Sequence, residues 1–431
     1  MVISPFAAWM LAQEARALLT RLARVKPFAL IEPMLPAAAL QPGAQAATER
    51  YLVAGRRELH ALVIDFLAWL RSAPSRQATA AEAQRRFTIL RLRFNAVLTQ
   101  FDLFNDVISQ RSEHDTGVWL CGLDAVAADA LALAGDYYEV PPLMCYLDRG
   151  IGAAIRRART RLPGGGENPV AIIRVPRERM VGSGIASSLI HEVGHQATAL
   201  LDLTTSLRPL LQGMQRNGGM AWRLFERWIG EILSDLWSCA RLGISATLGL
   251  MGVVGLPRPF VFRLSLDDPH PVPWIRVRLS CAMGQALYPH PQWERLANLW
   301  GAYYPLDGID GPRRRLFAEL LAAMPGFVSL LVNHRPRSLL GRSLKEALDV
   351  AQRQPAQMYR AAPSLVFAVL GQARANGQIT PEEESHLFAK LLTHWALRSA
   401  LGSAAAGASA ARSAARMFAV RSRHELGLTV H

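Results

Sequence analysis

Over the first 150 residues, apolar side chains recur at steps of three and four. Leu59, Leu62, Val63, Phe66, Leu67 and Leu70 share one helical face under that spacing, and Pro74 ends the helix. Thr79-Ala80-Ala81-Glu82 carries the N-cap threonine and N3 glutamate of a capping box and predicts a long helix towards Gln110. Pro141-Pro142 breaks the pattern, and the arginine-rich stretch 148–162 reads as a further helix. The period then changes. A β-branched run over 170–175, between Pro169 and Pro176, is the best strand candidate in the chain. After Gly182-Ser183-Gly184 an apolar helical stretch continues through Leu201, and another helix, rich in Trp and Leu, is predicted over 220–242. Pro and Gly punctuate 252–273, which reads as loop or short strand. Helical spacing resumes from about Gln292. Thr380-Pro381-Glu382-Glu383 supplies N-cap, N1 proline and N3 glutamate for a helix carrying Leu387 to Leu397, and 399–416 reads as a frayed helix or flexible tail.

These shifts divide the chain into a helical region over 1–150, a core over 151–290, a helical region over 291–398 and an Ala/Ser-rich tail over 399–431. With 431 residues, 51% hydrophobic and 19% charged, the chain can bury a sizeable core and is not disordered. Lys+Arg 48 against Asp+Glu 34 gives a net charge of +14, but only Lys26, Lys345 and Lys390 are lysines. The arginines are scattered and accompany no nucleic-acid-binding motif, which argues against nucleic acid as a partner. The four cysteines show no paired spacing, as expected of reduced thiols in a cytoplasmic protein. The longest uncharged segment, 242–257, is too short for a transmembrane span; contact with a membrane surface stays open.

The chemistry concentrates in His191-Glu192-Val193-Gly194-His195. On a helix, side chains at i and i+4 share a face, so two imidazoles on adjacent turns can bind one ion. Glu192 lies about 100° round the helix, where its carboxylate can take a proton from a water at the ion without ligating the metal. Gly194 leaves room for a neighbouring segment. The flanking residues are too apolar for a solvated helix, so buried imidazoles there need partners. Thr198 and Leu201 exclude a third histidine at the HExxHxxGxxH position. Glu231 and Asp235, again i and i+4 in an apolar helix, offer instead a carboxylate ligand and an acceptor for the far N–H of a ligand histidine.

This HExxH…ExxxD arrangement resembles the gluzincin group of zinc metallopeptidases, over roughly the segment 170–276. The resemblance implies a mainly α (α+β) fold: a zincin-like metallopeptidase core with a small sheet, flanked by helical regions. It also implies Zn²⁺ on His191, His195 and Glu231, Glu192 as general base, and Asp235 orienting a ligand histidine. The predicted strand looks like the edge strand on which such enzymes align a peptide, placing Ile172, Ile173 and Arg174 along the substrate. The segment containing His270-Pro271 and Arg276 is similar to the His-Pro-x-x-x-x-Arg stretch of the prenyl-protein-protease-like branch, where a histidine and an arginine border the active site. The expected activity is hydrolysis of peptide bonds in peptide or protein substrates. The alternative is a zinc-stabilised interaction or assembly protein without turnover.

Overall fold

The computed structural model describes residues 2–25, 34–150, 152–163, 165–177, 182–265, 268–348 and 362–425. The protein is mainly helical with one small sheet, and it falls into two compact units. The first comprises 1–122, 161–169 and 392–431; the second comprises 123–160 and 170–391. The sequence regions 151–290 and 291–391 lie for the most part in the second unit.

In the first unit, helices α1 (Pro5–Arg24), α2 (Pro42–Arg71), α3 (Ala73–Gln77) and α4 (Ala80–Ser109) assemble around apolar stripes. Leu59, Val63, Phe66 and Leu67 of α2 are buried, as their spacing predicts. The capping box forms: Thr79 N donates to Glu82 Oε2 at 2.7 Å, and Glu82 N donates to Thr79 Oγ1 at 3.2 Å. Helix α5 (His114–Leu131) has residues in both units.

The second unit holds the sheet, in the order β1-β3-β2: β1 (Leu143–Asp148), β2 (Ala154–Arg156) and β3 (Ala171–Pro176). β3 runs parallel to β1 and antiparallel to β2. Two expectations are corrected here. The stretch 148–162 is not a helix, because Ile155 pairs with Ile173 and the gain from cross-strand pairing outweighs local helix propensity. β3 forms where the β-branched run predicts it, but it is the central strand. Ile172, Ile173 and Arg174 are paired with β1 on one side and with β2 on the other, so no edge at these residues is open to a peptide. Burial on both faces of β3 accounts for a run that is apolar except at Arg174, its one partly exposed residue.

Helix α6 (Ser183–Leu200) packs on β2 and β3 and on α8 (Ile229–Leu242) and α9 (Ile244–Val254). Between α6 and α8 the chain forms α7 (Leu203–Arg227), where sequence spacing assigned a helix only from 220; Gly219, at φ +67°, marks a kink inside it. The stretch predicted as one helix over 220–242 is interrupted at Trp228. α10 (Arg258–Val261) is one turn in the Pro/Gly-punctuated region. Then follow α11 (Pro273–Leu287), α12 (Gln292–Tyr303), α13 (Gly311–Asn333), α14 (Leu344–Leu348), α15 (Pro363–Ala375) and α16 (Pro381–Glu425). The Thr380 cap forms as expected, and the tail expected to fray continues α16 to Glu425. Among the described residues, α13 is the one helix long and apolar enough to cross a membrane by length and composition. Its apolar face is packed within the protein: Phe327 stacks on Phe225 at 4.2 Å and Phe317 on Trp274 at 5.8 Å. All four cysteines are buried, and none is in a disulfide.

Candidate metal centre

Two helices bring the site together, and a glycine sets how closely they approach. A Cβ on Gly194 would lie 2.8 Å from Ser234 Cα and 3.1 Å from Trp237 Cβ, so only glycine lets α6 lie this close to α8. Ser187 Oγ donates to Ala246 O at 3.0 Å, and Ser238 Oγ to Ser187 O at 3.4 Å, tying α6 to α9 and α8. Gln196, next to His195 and buried, accepts the backbone N–H of Ala158 at 2.9 Å and so anchors the chain just beyond β2 to the same helix.

His191 and His195, one turn apart on α6, both direct Nε2 at Glu231. The distances are 3.2 Å to Oε2 and 3.5 Å to Oε1. Ligands about 2.0–2.1 Å from a tetrahedral ion lie roughly 3.3 Å from one another, so this spacing is that of a coordination shell. Among the described residues, these three form the one group of His, Cys, Asp or Glu whose ligating atoms lie within 4.8 Å of one another. Their side chains are largely buried, with 12%, 24% and 11% of the surface exposed for His191, His195 and Glu231. The group can hold a metal ion. Two imidazole nitrogens and a carboxylate are a donor set suited to divalent transition metals, zinc among them.

Around these three, a second set of contacts fixes orientation. His191 Nδ1 lies 2.8 Å from Asp235 Oδ1, so Nδ1 carries the proton and Nε2 is left for the ion. Asp235 in turn receives a fork from Arg276, Nε to Oδ2 at 2.6 Å and Nη2 to Oδ1 at 2.9 Å. Arg276 Nη2 also lies 3.7 Å from Glu231 Oε2. A cation in the first turn of α11 opposes the helix dipole, and the buried carboxylates offset that cost. Glu231, in the first turn of α8, is favoured by the dipole. Glu192 is buried on α6 and near enough for its charge to act on Arg276.

Burial alone would lower the His191 imidazole. The Asp235 charge and the hydrogen bonds to Asp235 and Glu231 outweigh it, and the pKa rises to about 9. Burial would raise Glu231, yet hydrogen bonds from His191 and His195 hold it well below the usual carboxylate range. Asp235 is likewise buried, but the Arg276 charge and then His191 hold it at about 2. Two buried carboxylates, Glu231 and Asp235, thus surround the ring of His191, which is electrostatics suited to a positive ion.

His270 stands at the rim on the loop before α11, with 47% of its side chain exposed. Its Nε2 lies 3.2 Å from Glu231 Oε2, while Nδ1 and the backbone N–H are both held by Asp268 Oδ1, at 2.7 and 3.0 Å. His191, His195, Glu231, Asp235, His270 and Arg276 are therefore in contact with one another, with Glu192 near Arg276, whereas Ile172, Ile173 and Arg174 lie inside the sheet. Sequence reasoning missed Asp268 and Gln196. The Asp-Pro-His spacing, in which an aspartate can bond the backbone two residues on, was an available signal for the first; the second is a tertiary contact without a sequence signature. No protein-family model matches this chain, and neither does any curated protein or solved structure.

Proposed function

We propose that this protein is a zinc-dependent peptidase with its centre at His191, His195 and Glu231. The observation that carries the reading is the pairing of a three-donor group with a glutamate that is not one of the donors. Binding alone needs only the three; Glu192, adjacent to His191 in sequence and buried on the same helix, is what hydrolysis adds. Bound zinc supplies a Lewis acid that polarises a carbonyl and brings the pKa of a water to about 7. Glu192 accepts a proton from the attacking water and delivers it to the leaving nitrogen. Asp235 holds the His191 tautomer, and Arg276 holds Asp235. Asp268 fixes the His270 ring through Nδ1–H, and in the imidazolium form the Nε2–H donates to the carbonyl oxygen as negative charge develops on it.

β2, one of the two outer strands of the sheet, packs against the helix bearing the histidines. The test is cleavage of a peptide library by wild type and by Glu192→Gln, which keeps shape but cannot accept the proton. Wild type should cleave, and the variant should retain metal and fold while losing turnover. Equal turnover by the two proteins contradicts the mechanism. Metal retention without cleavage by wild type favours the zinc-stabilised assembly protein instead.

A further inference from the structure

The first unit contains a cavity of about 530 Å³ between α1, α2 and α4. That volume lies within the ~300–1,000 Å³ of small-molecule sites. Its floor is apolar: Leu22, Leu52 and Phe101 are buried, and α2 approaches α4 closely enough that a Cβ on Gly55 would meet Phe101 Cζ at 3.0 Å. Among the described residues, its polar lining is Arg56, Arg57 and His60. On α2, Arg56 and Arg57 stand four and three residues before His60, so each neighbours His60 on the helix surface, and all three line the cavity. Among the described residues no carboxylate lines it, and neither arginine has an acidic partner. A cationic ligand would face uncompensated repulsion. A compact anion would leave the apolar floor unused, and a neutral hydrocarbon would leave the guanidinium groups unused.

We propose that this cavity binds a single-chain anionic amphiphile, a long-chain fatty acid, with the acyl chain on Leu22, Leu52 and Phe101 and the carboxylate on Arg56 and Arg57. A guanidinium forms paired, charge-assisted hydrogen bonds to a carboxylate, and this gives the head group its selectivity. The site is separate from the metal centre and does not depend on peptidase activity.

Titration calorimetry of the full chain with palmitate tests it. One palmitate should bind per chain, and hexadecanol, which keeps the tail, and butyrate, which keeps the head, should each bind at least about tenfold more weakly. Arg56→Ala combined with Arg57→Ala should weaken palmitate by a similar factor. Ala23→Trp, at an exposed position on the cavity wall, should block binding without disturbing the helices, as circular dichroism would report. Glu231→Ala should bind palmitate as wild type does. No saturable palmitate binding, hexadecanol binding as tightly as palmitate, or unchanged affinity in both cavity variants would each overturn the proposal.

Discussion

His191 presents its two ring nitrogens to different tasks, Nε2 towards Glu231 and Nδ1 towards Asp235. Replacing Asp235 with asparagine removes the anion that selects this tautomer, and zinc affinity should fall about 10–100-fold in a competition titration. Protons compete for the same ring. Because the metal-free folded pKa of about 9 exceeds the ordinary 6.5, the stabilisation from His191 is whole below about pH 6.5 and is lost as pH rises through 9. Asp235, at about 2 against an ordinary 3.8, contributes in full above 3.8 and loses its contribution as pH falls through 2. The Tm of the metal-stripped protein should therefore decline between pH 6.5 and 9. Zinc requires the neutral ring, so the gain in Tm on adding zinc should widen over that interval; a constant gain contradicts the assignment. At the rim, His270→Ala should lower kcat by about 10²–10³-fold with zinc retained, since an oxyanion donor acts chiefly in the transition state. Unchanged kinetics would leave His270 as a residue of a rigid loop. The two i, i+4 pairs were legible in sequence because helical geometry alone puts their members on one face. Asp268 was not, because its importance comes from a loop conformation that spacing does not specify.

At the scale of elements, the approach of α6 to α8 decides whether the donors meet. Gly194→Ala places a methyl group against the Ser234 backbone and should cost about 1–3 kcal/mol in urea unfolding. It should also weaken zinc binding, because the His191 and His195 nitrogens move away from Glu231. Wild-type stability and affinity in this variant would mean that the helices adjust freely. The sequence made α6 and β3 visible through periodicity and β-branching. β1 escaped because Leu143 to Asp148 contains no β-branched residue, although it is a short apolar run between a Pro pair and Gly150. β2 escaped because three residues in an arginine-rich stretch acquire strand structure only from their partner. That omission also misplaced the edge: strand order is a tertiary property, and the pattern of one strand cannot reveal who flanks it.

At the scale of the whole second unit, α13 is part of the scaffold that holds the site. α13 packs on α7 and α11, the latter carrying Arg276, through Phe225, Phe327, Trp274 and Phe317. Phe327→Ala should cost about 3–5 kcal/mol in urea unfolding, as a buried aromatic does. A loss below about 1 kcal/mol would show that α13 is dispensable to that core. The account rests most heavily on the metal itself. Its most direct measurement is the metal content of purified wild type and of Glu231→Ala, by elemental mass spectrometry after exchange into metal-free buffer. The account predicts close to one zinc per wild-type chain, and its loss from a variant that remains folded. A wild-type chain that takes up no zinc when supplied, or a Glu231→Ala chain that holds it as tightly, would contradict the centre described at His191, His195 and Glu231.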